Sequence, residues 1–160
     1  MLMVVFKSIV EDLIKTNNVP DDATMVLICD GVRSKEASLK FILTTNDNSG
    51  WGIDCNDKDG YVQIVNGAEA DNDVLEWADK VGEIISGPIT VDKLKYVFSH
   101  PRPHGEYDTI DIWLSGKQSE MASKRKKDLT LFAAITAKTS IYYNEKKKEI
   151  CVEVDEAGLL

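Results

Sequence analysis

The strongest constraint on the fold is a series of short apolar runs between residues 25 and 65, separated by connections rich in Asn, Asp and Gly. The runs at 25–29, 39–45, 51–55 and 61–65 contain the β-branched and aromatic residues that favour strands. Connections this short favour antiparallel pairing, because parallel neighbours need a crossover of about a dozen residues or more. The sequence therefore predicts an antiparallel meander of three or four strands, in which residues 57–60 are a hairpin turn built on Asp-Gly.

Helical periodicity is present in three further segments. Residues 2–16 repeat apolar side chains every three and four positions, and Asn17, Asn18 and Pro20 end this helix. The pattern at 73–85 is the clearest: Asp73 is expected to cap it, with Glu76 reaching back to the free amide. Residues 90–98 predict a short helix capped by Thr90, although a strand is also compatible with these residues.

The remaining elements complete an α+β prediction. Residues 109–114 alternate as a strand does, and 141–144 with 149–154 read as a closing hairpin. Residues 119–138 favour a fourth helix by composition but alternate like a strand at Leu129, Leu131, Ala133 and Ile135, so both alternatives stay open. A chain of 160 residues forms one core comfortably. We expect a single α+β domain over residues 1–160, with a mainly antiparallel sheet packed by three or four helices.

The negative charge of the chain is concentrated in one region. Residues 44–86 contain ten acids against Lys58 and Lys80, and this local excess equals the net charge of −8 of the whole chain. A concentrated acidic surface repels phosphate and steers cationic partners towards itself. Solubility alone is the competing explanation, because runs of charge are usually just solvated. The charge layout makes direct nucleic-acid binding unlikely and favours a basic protein as the partner.

The function predicted from this layout is binding rather than catalysis. We expect a small acidic cytoplasmic protein, of an inhibitor or immunity type, that occludes a basic site on a partner protein; a homo-oligomer is also allowed. Trp51, between two glycines and beside acidic turns, is expected to be the exposed apolar anchor. The acids expected to provide complementarity are Asp54, Asp57, Asp59, Asp71, Asp73, Glu76, Asp79 and Glu83.

The alternative function is an enzyme or ligand-binding domain built on residues 99–108, which contain both histidines of the chain. His100 and His104 are four positions apart, but Pro101 and Pro103 forbid the helix that would place them on one face. A histidine could still act as general acid or base, or both could bind a metal with Asp108 or Glu106. Arg102 would hold an anionic substrate.

No cofactor or metal is predicted for the leading function. Residues 55–66 superficially resemble a calcium loop, but Cys55 and Asn66 stand where its first and last carboxylate ligands belong. Cys29, Cys55 and Cys151 are odd in number and far apart in sequence, so ordinary thiols are expected rather than a disulfide framework. No apolar run approaches the ~20 residues of a membrane-spanning helix, and the N-terminal pattern does not match a secretory signal, so a cytoplasmic location is expected.

Overall fold

The structure, a computed structural model, describes residues 1–44, 49–65, 70–115 and 129–155. Within these ranges the helices are α1 (Met3–Asn17), α2 (Asn72–Ile84) and α3 (Val91–Ser99). The strands are β1 (Thr24–Cys29), β2 (Val32–Glu36), β3 (Ser38–Leu43), β4 (Gly50–Asp54), β5 (Tyr61–Ile64), β6 (Thr109–Ser115), β7 (Leu129–Ala133), β8 (Ser140–Asn144) and β9 (Glu149–Val154).

The α+β class is confirmed, but the expectation of one mainly antiparallel sheet is not met. The strands form two mixed sheets, one in the order β2-β1-β9-β8 and the other in the order β5-β3-β4-β6-β7. Three of the strand pairs are parallel: β1 with β9, β3 with β5, and β4 with β6. The β4–β6 pair became parallel because α2 and α3 lie between these strands in the chain and supply the crossover.

The predicted meander fails at two connections. The first leads from β1 towards β3, which lie in different sheets. The second leads from β4 to β5. Residues 55–60 link β4 to β5, yet β5 does not pair with β4; it pairs in parallel with β3, on the far side of β3 from β4. The Asp-Gly segment at 57–60 is therefore not a hairpin turn but a connection that crosses the start of β3. A short connection makes the second strand run antiparallel to the first. It does not determine which strand of the sheet the second one pairs with.

Two other strands differ from the sequence expectation. The strand alternative was the correct one for residues 129–133, which form β7 against β6, whereas residues 119–128 lie outside the described part. Strand β2 was not predicted, because its residues are mostly polar. It pairs antiparallel with β1 across Asp30 and Gly31, whose positive φ angles of 50° and 77° suit a tight hairpin.

The helix caps also differ in one place. Asp71, not Asp73, caps α2, and its Oδ1 accepts a hydrogen bond of 2.9 Å from the amide of Val74. Thr90 caps α3 as expected, through a 3.3 Å bond from the amide of Lys93. Among the described helices, none is long and apolar enough to cross a membrane.

One hydrophobic cluster joins both sheets and all the described helices. Helix α1 packs against β6 and β8, one strand from each sheet, while α2 packs against β5. Three aromatic rings meet edge to face where α2 covers the five-stranded sheet: the centroid of Phe41 lies 5.0 Å from that of Trp51 and 5.1 Å from that of Trp77. Such edge-to-face pairs are favourable beyond the area they bury.

Gly60 lets the crossing connection touch the end of α2. A Cβ added at Gly60 would lie 1.9 Å from the carbonyl oxygen of Ile85, which is backbone and cannot swing away. Gly82, within α2, has open space around the same position. The chain thus offers one glycine that is required by packing and one that is not.

We therefore expect opposite effects from two alanine substitutions. Gly60→Ala should lower the free energy of unfolding by about 3 kcal/mol or more, because backbone must move apart. Gly82→Ala should raise it by about 0.5–1 kcal/mol, because alanine loses less backbone entropy in a helix. Urea denaturation of the two variants measures both changes, and equal effects would contradict the contact between Gly60 and α2.

Candidate functional site

The acidic side chains of α2 and its cap face away from the core. Five of them are exposed, and we call this set the acidic face: Asp71, Asp73, Glu76, Asp79 and Glu83. The opposite side of the helix is buried through Val74, Trp77, Ala78 and Val81. The structure therefore gathers the five helix acids on the solvent side of one element.

The spacing of three acids makes a continuous stripe. Glu76, Asp79 and Glu83 are three and four residues apart, so they lie in one row along the helix. Glu76 is 3.5 Å from Lys80, but both side chains are about two-thirds exposed, and such a surface pair contributes little. The row keeps most of its negative potential.

Apolar side chains flank this row. Leu75 and Ile84 are 41% and 39% exposed on α2, and Ile64 is 38% exposed on β5, the strand against which α2 packs. β5 is also an edge strand of the five-stranded sheet. The acidic face thus carries its own apolar contact points, which the sequence analysis did not single out.

The expectation that Trp51 is an exposed anchor is wrong. Its side chain is only 4% exposed and packs against Phe41 and Trp77 in the core. The physical reason is the strand alternation of β4, which turns Trp51 and Ile53 to the core face. On the other face, the ring of Trp113 occupies the space beside Gly52, where a Cβ would lie only 2.7 Å from it. The sequence Trp51-Gly52-Ile53 already indicated the burial of Trp51, because two large apolar residues separated by one position lie on the same face of a strand.

The acids at residues 54–59 do not extend the acidic face as a group. Asp54 is fully buried, so its predicted role in contacting a partner is wrong, and Asp57 is only partly exposed. Asp59 alone of these three is exposed. The reason is Lys40, whose side chain is completely buried and whose ammonium draws the carboxylates inwards.

A buried ion-pair cluster therefore occupies the start of β3. Lys40 Nζ donates to Asp57 Oδ2 at 3.2 Å and to the main-chain carbonyl of Asp59, and lies 3.6 Å from Asp54 Oδ2. It also lies 4.1 Å from the centroid of the Tyr61 ring, a cation–π distance. Ser38 Oγ donates to the carbonyl of Asp57 at 2.6 Å and fixes the connection a second time.

The other oxygen of Asp54 organises the neighbouring strand ends. Asp54 Oδ1 accepts hydrogen bonds from the amides of Asn56 and Ser115 at 2.9 and 3.3 Å. Burial, together with the charge of Asp54, raises the pKa of Cys55 to about 11, and burial with the charges of Asp54 and Asp57 raises the pKa of Tyr61 to about 12. Both groups are protonated at neutral pH, so Cys55 is not a ready thiolate nucleophile.

The histidine loop is held by an ion pair rather than by its histidines. Arg102 forms a bidentate ion pair with Asp108: Nε donates to Oδ2 at 3.1 Å and Nη2 donates to Oδ1 at 2.7 Å. Gly105 lies directly against this ion pair. A side chain would not fit there, because a Cβ at Gly105 would lie 2.6 Å from Asp108 Oδ2. Arg102, which was predicted to hold an anionic substrate, instead directs two hydrogen bonds at Asp108, which is 6% exposed.

The two histidines are not brought into a common centre with the loop carboxylates. The ring of His100 stacks on Tyr96 of α3 with centroids 4.3 Å apart, and its Nδ1 lies 3.0 Å from the Tyr96 carbonyl oxygen. His104 is exposed, with a left-handed φ of 60°. In the described part of the chain, no three His, Cys, Asp or Glu side chains are grouped as metal ligands are. A catalytic role for His100, His104 and Asp108 stays a prediction without a geometry to support it.

Comparison of the chain with protein-family models, with curated proteins and with solved structures finds no match to any of them. The candidate site therefore rests on its own geometry.

The buried cluster gives a test of how much the ion pairs stabilise. Lys40→Met should lower the free energy of unfolding by about 3–5 kcal/mol, because it leaves buried carboxylates without their cation. Lys95→Met is the matched control: Lys95 pairs with Asp21 at 2.7 Å, but both side chains are about half exposed or more. Its loss should be below about 1 kcal/mol. Urea denaturation compares them, and similar losses would contradict a structural role for the Lys40 cluster.

Proposed function

We propose that this chain is a small acidic binding protein of the cytoplasm, of an inhibitor or immunity type, whose acidic face docks on and occludes a basic site of a partner protein. The observation that carries the proposal is the juxtaposition on α2 of exposed apolar side chains and an acidic row in which only Glu76 has a lysine partner, itself solvent-exposed. The buried Trp51 and Asp54 are not part of the docking surface.

The charge of α2 supports docking through long-range attraction. Asp79 and Glu83 are one helical turn apart, and their side chains are exposed, so their potential extends into solvent. A cluster of one sign accelerates encounter with a surface of opposite sign and orients it, by an amount that salt reduces. A basic partner site is the complement that this surface selects.

The apolar side chains supply what charge alone does not. Leu75 and Ile84 lie on the flanks of the acidic row and are each about 40% exposed. Exposed charges at an interface rim contribute mainly to rate and specificity, whereas desolvated apolar side chains slow dissociation. The proposed interface is therefore an acidic row with an apolar contact on either side.

The charge arrangement of α2 is also unfavourable for the helix itself. Glu83 lies in the last turn, where α2 has no basic residue and where the helix dipole disfavours an acid. It also repels Asp79 four residues earlier. Acids at other surface positions would provide the same solubility without this loss of stability. The unfavourable placement of Glu83 therefore supports a role in binding rather than in solubility alone.

The stability cost predicts opposite effects from two neutralising substitutions. Glu83→Gln should raise the free energy of unfolding by about 0.3–1 kcal/mol, because it removes an acid from the negative end of the dipole. Asp73→Asn should lower it by about 0.3–1 kcal/mol, because an acid in the first turn is favourable there. Thermal unfolding at low ionic strength measures both, and a loss of stability in Glu83→Gln would contradict the argument.

The docking proposal is tested with two variants of equal charge. The test variant carries Glu76→Gln, Asp79→Asn and Glu83→Gln; the control carries Glu11→Gln, Asp12→Asn and Glu145→Gln, which are exposed acids on other elements. Each immobilised protein is incubated with extract of its host, and retained proteins are identified by mass spectrometry. We expect a protein with a basic surface to be retained by the wild type and the control and lost by the test variant.

The rate of association with that purified partner provides the decisive measurement. Neutralising the row should slow association about tenfold at low salt and flatten its salt dependence, because the steering term is removed. The control should behave as the wild type. Equal loss in both variants would show an unspecific effect of net charge, and an unchanged rate in the test variant would remove α2 from the interface.

A further inference from the structure

A cavity of about 540 Å³ lies between α1, α3, β4 and the loop at 100–108, away from the acidic face. Its deep wall is buried and apolar, formed by Trp51, Val97 and Phe98. Its mouth is formed by the exposed residues Val4, Pro101 and Glu106. A mainly apolar cavity of a few hundred Å³ with a small number of polar groups is the usual form of a small-molecule site.

Arg102 supplies the main polar group of this cavity. Its guanidinium has five N–H donors, and Asp108 accepts one from Nε and one from Nη2. In the part of the chain that the structure describes, the hydrogen bonds of Arg102 go only to Asp108, which leaves three of its N–H groups without an acceptor. The Arg102 side chain is only 14% exposed and its Cζ lies 5.4 Å from the centroid of the Phe41 ring, so the guanidinium is held in place.

The other charged groups of the lining are Lys7, Asp108 and Glu106. Lys7 on α1 is 42% exposed and is 3.8 Å from Glu11, a distance that leaves its ammonium free to reorient. Both oxygens of Asp108 accept from Arg102, so Asp108 presents no unneutralised charge. The side chains of Glu106 and Lys7 are both exposed to water, which screens their opposite charges, so the unused N–H groups of Arg102 select the ligand and a net charge of the lining does not. Unsatisfied donors therefore exceed acceptors inside the cavity.

We propose that this cavity binds an apolar carboxylate, with the hydrocarbon between α1 and α3 and the carboxylate on the free N–H groups of Arg102 and on Lys7. Oxygen acceptors satisfy a partly buried guanidinium, and charge-assisted bonds of this kind are stronger than neutral ones. The apolar body is stabilised by removal of its surface from water against Val97 and Phe98. This site is separate from the acidic face and does not depend on the function proposed for it.

Titration with sodium decanoate tests the proposal on the full chain. We expect saturable binding of one decanoate per chain by calorimetry, with amide shift changes confined to α1, α3 and the loop at 100–108. Decylammonium, which has a chain of the same length and donates instead of accepting, should bind at least about tenfold more weakly. Absence of saturable decanoate binding, or equal affinity for the two probes, would overturn the proposal.

Two substitutions on α1 locate the site. Val4 lines the cavity and Val5 does not, and both are exposed, at 61% and 44%. Val4→Glu should weaken decanoate binding at least about tenfold, because it places a negative charge at the mouth, while Val5→Glu should change it less than about twofold. An acid in the first turn suits the helix dipole, so both variants retain α1. Equal effects of the two substitutions would place decanoate elsewhere and overturn the assignment.

Discussion

The buried ammonium of Lys40 is the interaction on which the five-stranded sheet depends. It lies in the middle strand of the β5-β3-β4 group, and the connection from β4 to β5 crosses directly over it. Asp57 and the carbonyl of Asp59 contact Lys40 from that connection, and Asp54 approaches it from β4. A buried cation without these oxygens would be strongly unfavourable, so the cluster favours this crossing over a hairpin between β4 and β5. The ion pairs and the strand order β5-β3-β4 therefore support each other.

The elements of the fold were largely predictable, whereas their pairing was not. Alternation and helical periodicity placed α1, α2, α3 and the strands at 24–29 and 149–154 within a residue or two, because local patterns report which face of an element is buried. The parallel pairs and the second sheet depend on contacts between residues far apart in sequence, such as β1 with β9. Local propensity and periodicity do not determine which distant segments pair.

The candidate site shows the same division. The exposure of the helix acids followed from the period of α2, since Val74, Trp77 and Val81 determine the buried side. The burial of Asp54 could not be predicted by counting charges, because it depends on its partner Lys40. The sequence did carry one hint: Lys40 is a single cation inside the apolar run of β3 and calls for a buried counter-charge.

The loop at 99–108 shows how residue types alone mislead. Histidine, arginine and aspartate are common in catalytic sites, and the spacing invited that interpretation. The structure directs Arg102 to Asp108 and stacks His100 on α3, so these residues first of all hold a proline-containing connector in shape. The same ion pair leaves part of the guanidinium facing a cavity, which is a property of the folded loop and not of its composition.

The contact between Gly60 and the carbonyl of Ile85 has a mechanical consequence. It joins the end of α2, backbone to backbone, to the residue that follows Asp59, and Asp59 holds the ammonium of Lys40. A displacement of the end of α2 would therefore also move the connection that holds Lys40 in the central strand of the sheet. The position of the exposed helix α2 is thus coupled to the position of the buried ion-pair cluster.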